Sequence, residues 1–151
     1  MDNIDRHILE VLQNEGRLST ASLAERVGLS PSPCARRLKR LEDEGYISDY
    51  QANLNKKKIG ITMTFFVEVS LKDHQEASIE KFELELIDMP EVINSYIVSG
   101  SYDYLLHVVS KDLAGYEAFT HKLHKILSVK DIHTHLSVRE VTTKRALPIY
   151  S

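Results

Sequence analysis

The stretch "GLSPSPCARRLKRLEDEGYI", residues 28 to 47, decides how the first third of the chain folds. It sets Pro31 and Pro33 directly ahead of Arg36, Arg37, Lys39 and Arg40. Inside a helix a proline is a breaker. The first four amides of a helix have no intrahelical acceptor, however, so a proline there removes no bond and presets the right φ. Ser30 is placed to cap this helix with its hydroxyl, and Gly45 to end it.

Just upstream, "TASLAERV" (20 to 27) follows the capping residue Ser19, with Leu23 and Val27 four apart. Gly28 suits a left-handed C-terminal cap. Only "GLS" separates this helix from the next, and a turn so short is the mark of a helix-turn-helix unit. Residues 4 to 14 add an earlier helix through Ile4, Ile8, Val11 and Leu12, closed by Gly16. Downstream, "GYISDYQANLN" alternates and predicts one strand leading away, and "NKKKIG" (55 to 60) reads as a boundary.

On a wheel of about 100° per residue, Leu38 and Leu41 fall within about 40° of Cys34 and face inward. Ser32, Arg36, Lys39 and Arg40 share the opposite side. One reading is a helix for the DNA major groove, where Arg pairs with guanine and Lys or Arg with phosphate. The other is a solvated face in which Lys39 pairs with Asp43 and Arg40 with Glu44, worth about 0.2–0.5 kcal/mol each. Base before acid is the weaker order, and Glu42, Asp43 and Glu44 crowd the end where the dipole disfavours acids. The charges are not arranged for the helix's own benefit, which favours the DNA reading. Ser30 at the helix start and Arg37 at its flank complete the candidate contacts.

Beyond residue 60 the periodicity changes. "TMTFFVEVSL" (62 to 71) alternates as a strand. "ASIEKFELELIDM" (77 to 89) is helical, with Ile79, Phe82, Leu86 and Met89 on one face. "VINSYIVS" and "YDYLLHVVS" are strands joined at Gly100 and Ser101. "LAGYEAFTHKLHKIL" (113 to 127) is a helix with Tyr116, Phe119, Leu123 and Leu127 inward, and "DIHTHLSVREVT" (131 to 142) is a last strand. The order βαββαβ is the ferredoxin-like split βαβ.

The 151 residues, 42% hydrophobic, suffice for one domain or two small ones. Net charge is −3, divided as +1 over residues 1 to 60 and −4 over the rest, so a basic patch must come from local arrangement. No signal peptide and no apolar run of about 20 residues is visible, so a cytoplasmic protein without a membrane partner is expected. The single cysteine excludes an intramolecular disulfide. Cys34 lies on the inward face and reads as an inert core thiol. His121 and His124, and His133 and His135, form two pairs at ligand spacing, but no carboxylate is spaced to complete either. Surface histidines and no metal are expected. No catalytic fingerprint is present, so no catalytic residue and no cofactor are expected. "SGSYDY" (99 to 104) is either a hairpin turn or a small-ligand site in which amides near Gly100 hold a carboxylate and Asp103 serves an ammonium, directly or by fixing the loop.

With these elements in place the chain resembles the Lrp/AsnC (feast/famine) family of transcription regulators. The resemblance is carried by "IDRHILEVLQNEGRLS" (4 to 19), "LAERVGLSPSPCARRLKRLEDEGYI" (23 to 47) and "VSGSYDYLL" (98 to 106). It implies an α+β protein, with an N-terminal winged helix-turn-helix domain followed by a ferredoxin-like βαββαβ αβ-sandwich, the RAM domain. The expected division is 1–48 for DNA binding, 49–60 for a strand and hinge, and 61–151 for sensing and oligomerisation. The resemblance also implies homodimers closing into octamers, or sometimes tetramers, and a free amino acid as effector between subunits. Its loop matches Ser99, Gly100, Ser101, Tyr102, Asp103 and Tyr104, with Thr134, Leu136 and Ser137 as the partner wall. Several members carry a basic N-terminal extension that this sequence does not show, so no minor-groove arm is expected. The tail "TTKRALPIY" is like that of members sensing leucine, methionine or related amino acids. The expected function is a double-stranded-DNA-binding regulator modulated by an amino acid. An effector-independent architectural DNA-binding protein, or an amino-acid enzyme with a regulatory module, are the alternatives.

Overall fold

The computed structural model describes residues 1–142 and 146–150. The chain divides into two compact units. One comprises residues 1–53 with the described part of 141–150, and the other residues 54–140.

The first unit holds α1 (Asn3–Asn14), α2 (Thr20–Val27) and α3 (Pro31–Asp43). A capping box starts α1: the Asp5 amide donates to Asp2 Oδ1 at 2.8 Å and the Asp2 amide to Asp5 Oδ2 at 3.0 Å. Ser19 caps α2 by accepting from the Ser22 amide. Gly28 ends α2 at φ +69°, a conformation a side chain would strain. α3 begins at Pro31 as expected, but the Ser30 hydroxyl caps nothing. The prolines position the helix start without it. Ile8, Leu23, Ala24, Cys34 and Leu41 form the core.

Residues 46 to 53 form no strand, against expectation. A strand exists only through a hydrogen-bonded neighbour, and no described segment pairs with this one. The C-terminal segment, expected with the second domain, is placed with the first. Gln13 clasps Leu147 through both backbone groups, donating from Nε2 to the carbonyl at 3.2 Å and accepting the amide on Oε1 at 2.5 Å. Arg6 donates to the Ile149 carbonyl. Of the tail motif, residues 143–145 lie outside the described residues.

The second unit runs β1 (Met63–Leu71), α4 (Glu76–Ile87), β2 (Val92–Ile97), β3 (Tyr104–Ser110), α5 (Leu113–His124) and β4 (Val129–Leu136). The sheet order is β2-β3-β1-β4 and every neighbour is antiparallel. This is the ferredoxin-like arrangement the order of elements implied. One sheet face buries Phe65, Val67, Val69 and Leu71 with Tyr104, Leu106 and Val108 against Phe82 of α4 and Phe119 of α5. Each fully buried large side chain contributes about 1.5–3 kcal/mol. Phe65 stacks on Tyr116 with centroids 3.8 Å apart.

Two expectations fail at element ends. Leu127 is 76% exposed and Ile126 packs inward instead, because α5 stops at His124 and the chain changes direction. β4 ends at Leu136, not residue 142. Its last partner position is Phe65, near the start of β1, and the Ser137 amide bonds the Thr64 carbonyl just beyond, so no ladder remains to continue.

Candidate DNA-contacting face and effector loop

In the first unit, Ser30, Ser32, Arg36, Lys39 and Arg40 are exposed, while Cys34 and Leu41 are buried beneath them. Burial pushes the Cys34 thiol up, which fits an inert core group. Arg36 makes no ion pair or hydrogen bond to another described residue. Lys39 reaches Asp43 at 3.1 Å, both side chains being mostly exposed, so solvent competes with that pair.

The other two arginines are engaged within the protein. Arg37 donates from Nη1 to Asp2 Oδ2 at 2.6 Å and to Asp5 Oδ1 at 2.8 Å. Arg40 donates from Nη2 to Asp5 Oδ2 at 2.5 Å. Asp5 is 1% exposed. Burial alone would raise its pKa, but the Asp2 amide and the two guanidinium groups outweigh it and hold the carboxyl below the ordinary range. Asp2 is lowered to about 2, first by the Asp5 amide and then by Arg37. The sequence placed Arg37 and Arg40 among the DNA contacts. In the structure both are tied to a buried carboxylate that needs compensating cations, Arg37 with a side chain only 29% exposed and Arg40 with half of its side chain still open to solvent. Nothing local announces it, because Asp5 lies 32 and 35 residues from its partners.

In the second unit the loop 98–103 joins β2 to β3. Gly100 has φ +121°, which strongly favours glycine. Asp103 pins the loop to the end of β1. Its Oδ2 accepts the Leu71 amide at 2.7 Å, its Oδ1 lies 2.8 Å from His74 Nε2, and its own amide donates to the Val69 carbonyl. The Leu71 amide and then His74 hold its carboxyl below the usual range. With both oxygens engaged, Asp103 braces the loop. His74 is a member of this cluster that sequence reasoning missed, since only the fold brings it to Asp103. The amides of residues 99 to 102 donate to no described residue. Ser99, Gly100 and Ser101 are exposed, and Tyr102 is half-buried.

Tyr104 does not belong to this loop's open side. It is 4% exposed in the core, and its hydroxyl donates to Glu83 at 2.8 Å, so it is corrected to a packing residue. Burial first, then Glu83, raises it to about 12. Nor does one chain bring Leu136 and Ser137 to the loop, and Thr134 is turned to the other side. Thr134 points toward the helices and bonds the Tyr116 hydroxyl. Leu136 pairs with Phe65, and Ser137 bonds Thr64, whereas the loop is tied to Val69 and Leu71. Four to seven residues of strand, at about 3.3 Å each, separate these attachments.

Comparison with known proteins matches this arrangement part by part. Residues 1–48 fit a winged helix-turn-helix DNA-binding model, and residues 64–147 the Lrp/AsnC ligand binding domain. The Bkd operon transcriptional regulator of Pseudomonas aeruginosa is 40% identical over 150 residues, covering 99% of this chain and 98% of that protein. The leucine-responsive regulatory protein of Escherichia coli is 36% identical over 99% of this chain and 92% of its own. A transcriptional regulator from Neisseria meningitidis, solved as its L-Met complex, superposes with a TM-score of 0.95 at 35% identity, covering 98% of this chain and 96% of that one. These relatives are regulators, not enzymes. Among the described residues no helix is long and apolar enough to cross a membrane. The chain belongs to the Lrp/AsnC family of DNA-binding transcriptional regulators.

Proposed function

We propose that this regulator's DNA affinity is set by a free amino acid held at the loop 99–102 between subunits of a cytoplasmic homo-oligomer. The observation that carries this reading is the set of four amides, residues 99 to 102, without an acceptor among the described residues, in a loop braced by Asp103. Such amides suit a carboxylate. The Neisseria relative solved with L-Met and the leucine-responsive relatives direct attention to those two amino acids. Leu136 and Ser137 stand apart from the loop within one chain, so a wall that includes them comes from another copy.

Ser30, Ser32, Arg36 and Lys39 meet DNA directly. Arg40, whose side chain is 48% exposed, reaches a phosphate while Asp5 orients it, and Arg37 holds α1 against α3. A dimer forms through the open sheet face, where Phe66 is 38% exposed beside Leu105 and Val109, and dimers close into an octamer. Calorimetric titration of L-methionine and L-leucine into the full chain, with gel shifts on family-type operators, tests the reading. Neither amino acid binding, with DNA affinity indifferent to both, would leave an effector-independent DNA-binding protein.

A further inference from the structure

The open sheet face of the second unit carries a cluster that the regulatory reading does not use. Glu68 lies directly across from His133 on the β1–β4 ladder, and His135 is two residues further along β4, so all three project from the same face. Glu68 Oε2 is 3.2 Å from His135 Nε2. The rings of His133 and His135 meet edge-on with centroids 4.7 Å apart. One ligand atom from each of the three lies within 4.8 Å of the other two. No carboxylate near the histidine pair along the chain is spaced to join it. The ladder supplies one, from 67 residues away.

We infer that Glu68, His133 and His135 form a binding site for a divalent first-row transition cation, with zinc the best fit. Two imidazoles and one carboxylate are a common zinc donor set that leaves a further position for water. The imidazoles disfavour calcium and magnesium, which prefer all-oxygen shells, and the absence of a thiolate disfavours copper(I). A tetrahedral ion with bonds of about 2.0–2.2 Å draws its ligand atoms to roughly 3.3–3.6 Å apart. Side-chain rotations of about an ångström on these exposed residues achieve that without moving the strands. The Glu68–His135 hydrogen bond joins two of the three groups, and His133 meets them through its edge-on contact with His135, its ring also lying 6.1 Å from that of Tyr102. Both strands are fixed by the central sheet ladder, so the donors are largely preorganised. A bound ion would clamp β1 to β4 on the face that also carries Phe66.

The test uses untagged full-length protein, freed of metal with a chelator and dialysed. Zinc is titrated calorimetrically, and cobalt(II) is followed by visible absorption. The wild type is expected to bind saturably, at no more than one ion per chain, with cobalt giving the intense absorption of a tetrahedral site. His133→Ala/His135→Ala should weaken zinc by more than the roughly 10–100-fold that loss of an outer-shell partner alone costs. Glu68→Gln should weaken it about tenfold or more. His121→Ala/His124→Ala on α5 serves as the control and should bind as the wild type does. Circular dichroism checks that each variant is folded, and the three side chains are exposed enough to be removed without opening the core. No saturable zinc binding by the wild type, or equal binding by the His133→Ala/His135→Ala protein, would overturn the site.

Discussion

Arg40 places Nη2 2.5 Å from Oδ2 of Asp5, a carboxylate that is 1% exposed and also accepts from Arg37. Two cations of α3 are thereby tied to the first turn of α1. The pose of α3 against α1 thus rests on a buried charge. Arg37 and Arg40 serve the architecture through Asp5, whereas Arg36 pairs with no described residue and Lys39 only with the exposed Asp43.

Asp5→Asn should lower the unfolding free energy by about 2–3 kcal/mol, since it leaves two guanidinium groups short of their counter-charge. Urea denaturation measures this. An unchanged midpoint and slope would show that the network is incidental.

The same carboxylates predict an acid limb. Asp2 and Asp5 both have folded-state pKa values below their unfolded ones, Asp2 at about 2. Their stabilisation is therefore complete above the unfolded value near 4 and is lost as pH falls toward about 2. Stability of the wild type should decline across that window, and Asp5→Asn should decline less steeply. Parallel curves would contradict the assignment.

Arg36→Ala should weaken specific DNA binding by about 1–3 kcal/mol if it meets a base. Lys39→Ala should weaken all sequences alike and reduce the salt slope by about one phosphate. Both residues are exposed, so thermal melting should be unmoved. Gel shifts at two salt concentrations are the readout, and full affinity in both variants would displace the contact to another face.

Asp103→Ala should abolish amino-acid binding and cost about 1–3 kcal/mol of stability, because the Leu71 amide loses its acceptor. Asp103→Asn, which keeps an acceptor for that amide, should recover most of the stability. Gly100→Val forces a β-branched residue to φ +121° and should cost about 1–3 kcal/mol while blocking the amides. Wild-type affinity in all three, measured by calorimetry, would remove the loop from the effector site.

Phe66→Glu puts a charge on the open sheet face, where Phe66 now stacks on His107 at 5.2 Å between centroids. Light scattering at micromolar concentration should show a smaller assembly with an unchanged far-ultraviolet spectrum. A wild-type mass for the variant would move the dimer contact elsewhere.

The elements themselves were legible because their causes are local. Pro31 at a helix start, Gly28 at φ +69° and the alternation through Phe65, Val67 and Val69 each act within a few residues, and each appears where the spacing placed it. The strand order followed from the order of elements, since a split βαβ repeated twice closes in few ways. The inward stripes were also legible as far as each helix ran, and failed at Leu127, where the helix had already ended.

What only the tertiary structure decided is which side chains meet across long separations. Periodicity put Arg40 on the outer face, but Asp5, 35 residues earlier, claims it. The sequence singled out Asp103, but Leu71 and His74 show that it braces the loop. Residues 46 to 53 alternate as a strand should and still form none. Helical hydrogen bonds close within four residues, so a sequence can specify them alone. Ladder bonds, buried ion pairs and converging ligands need a second segment, and its position is set only when the whole chain has packed.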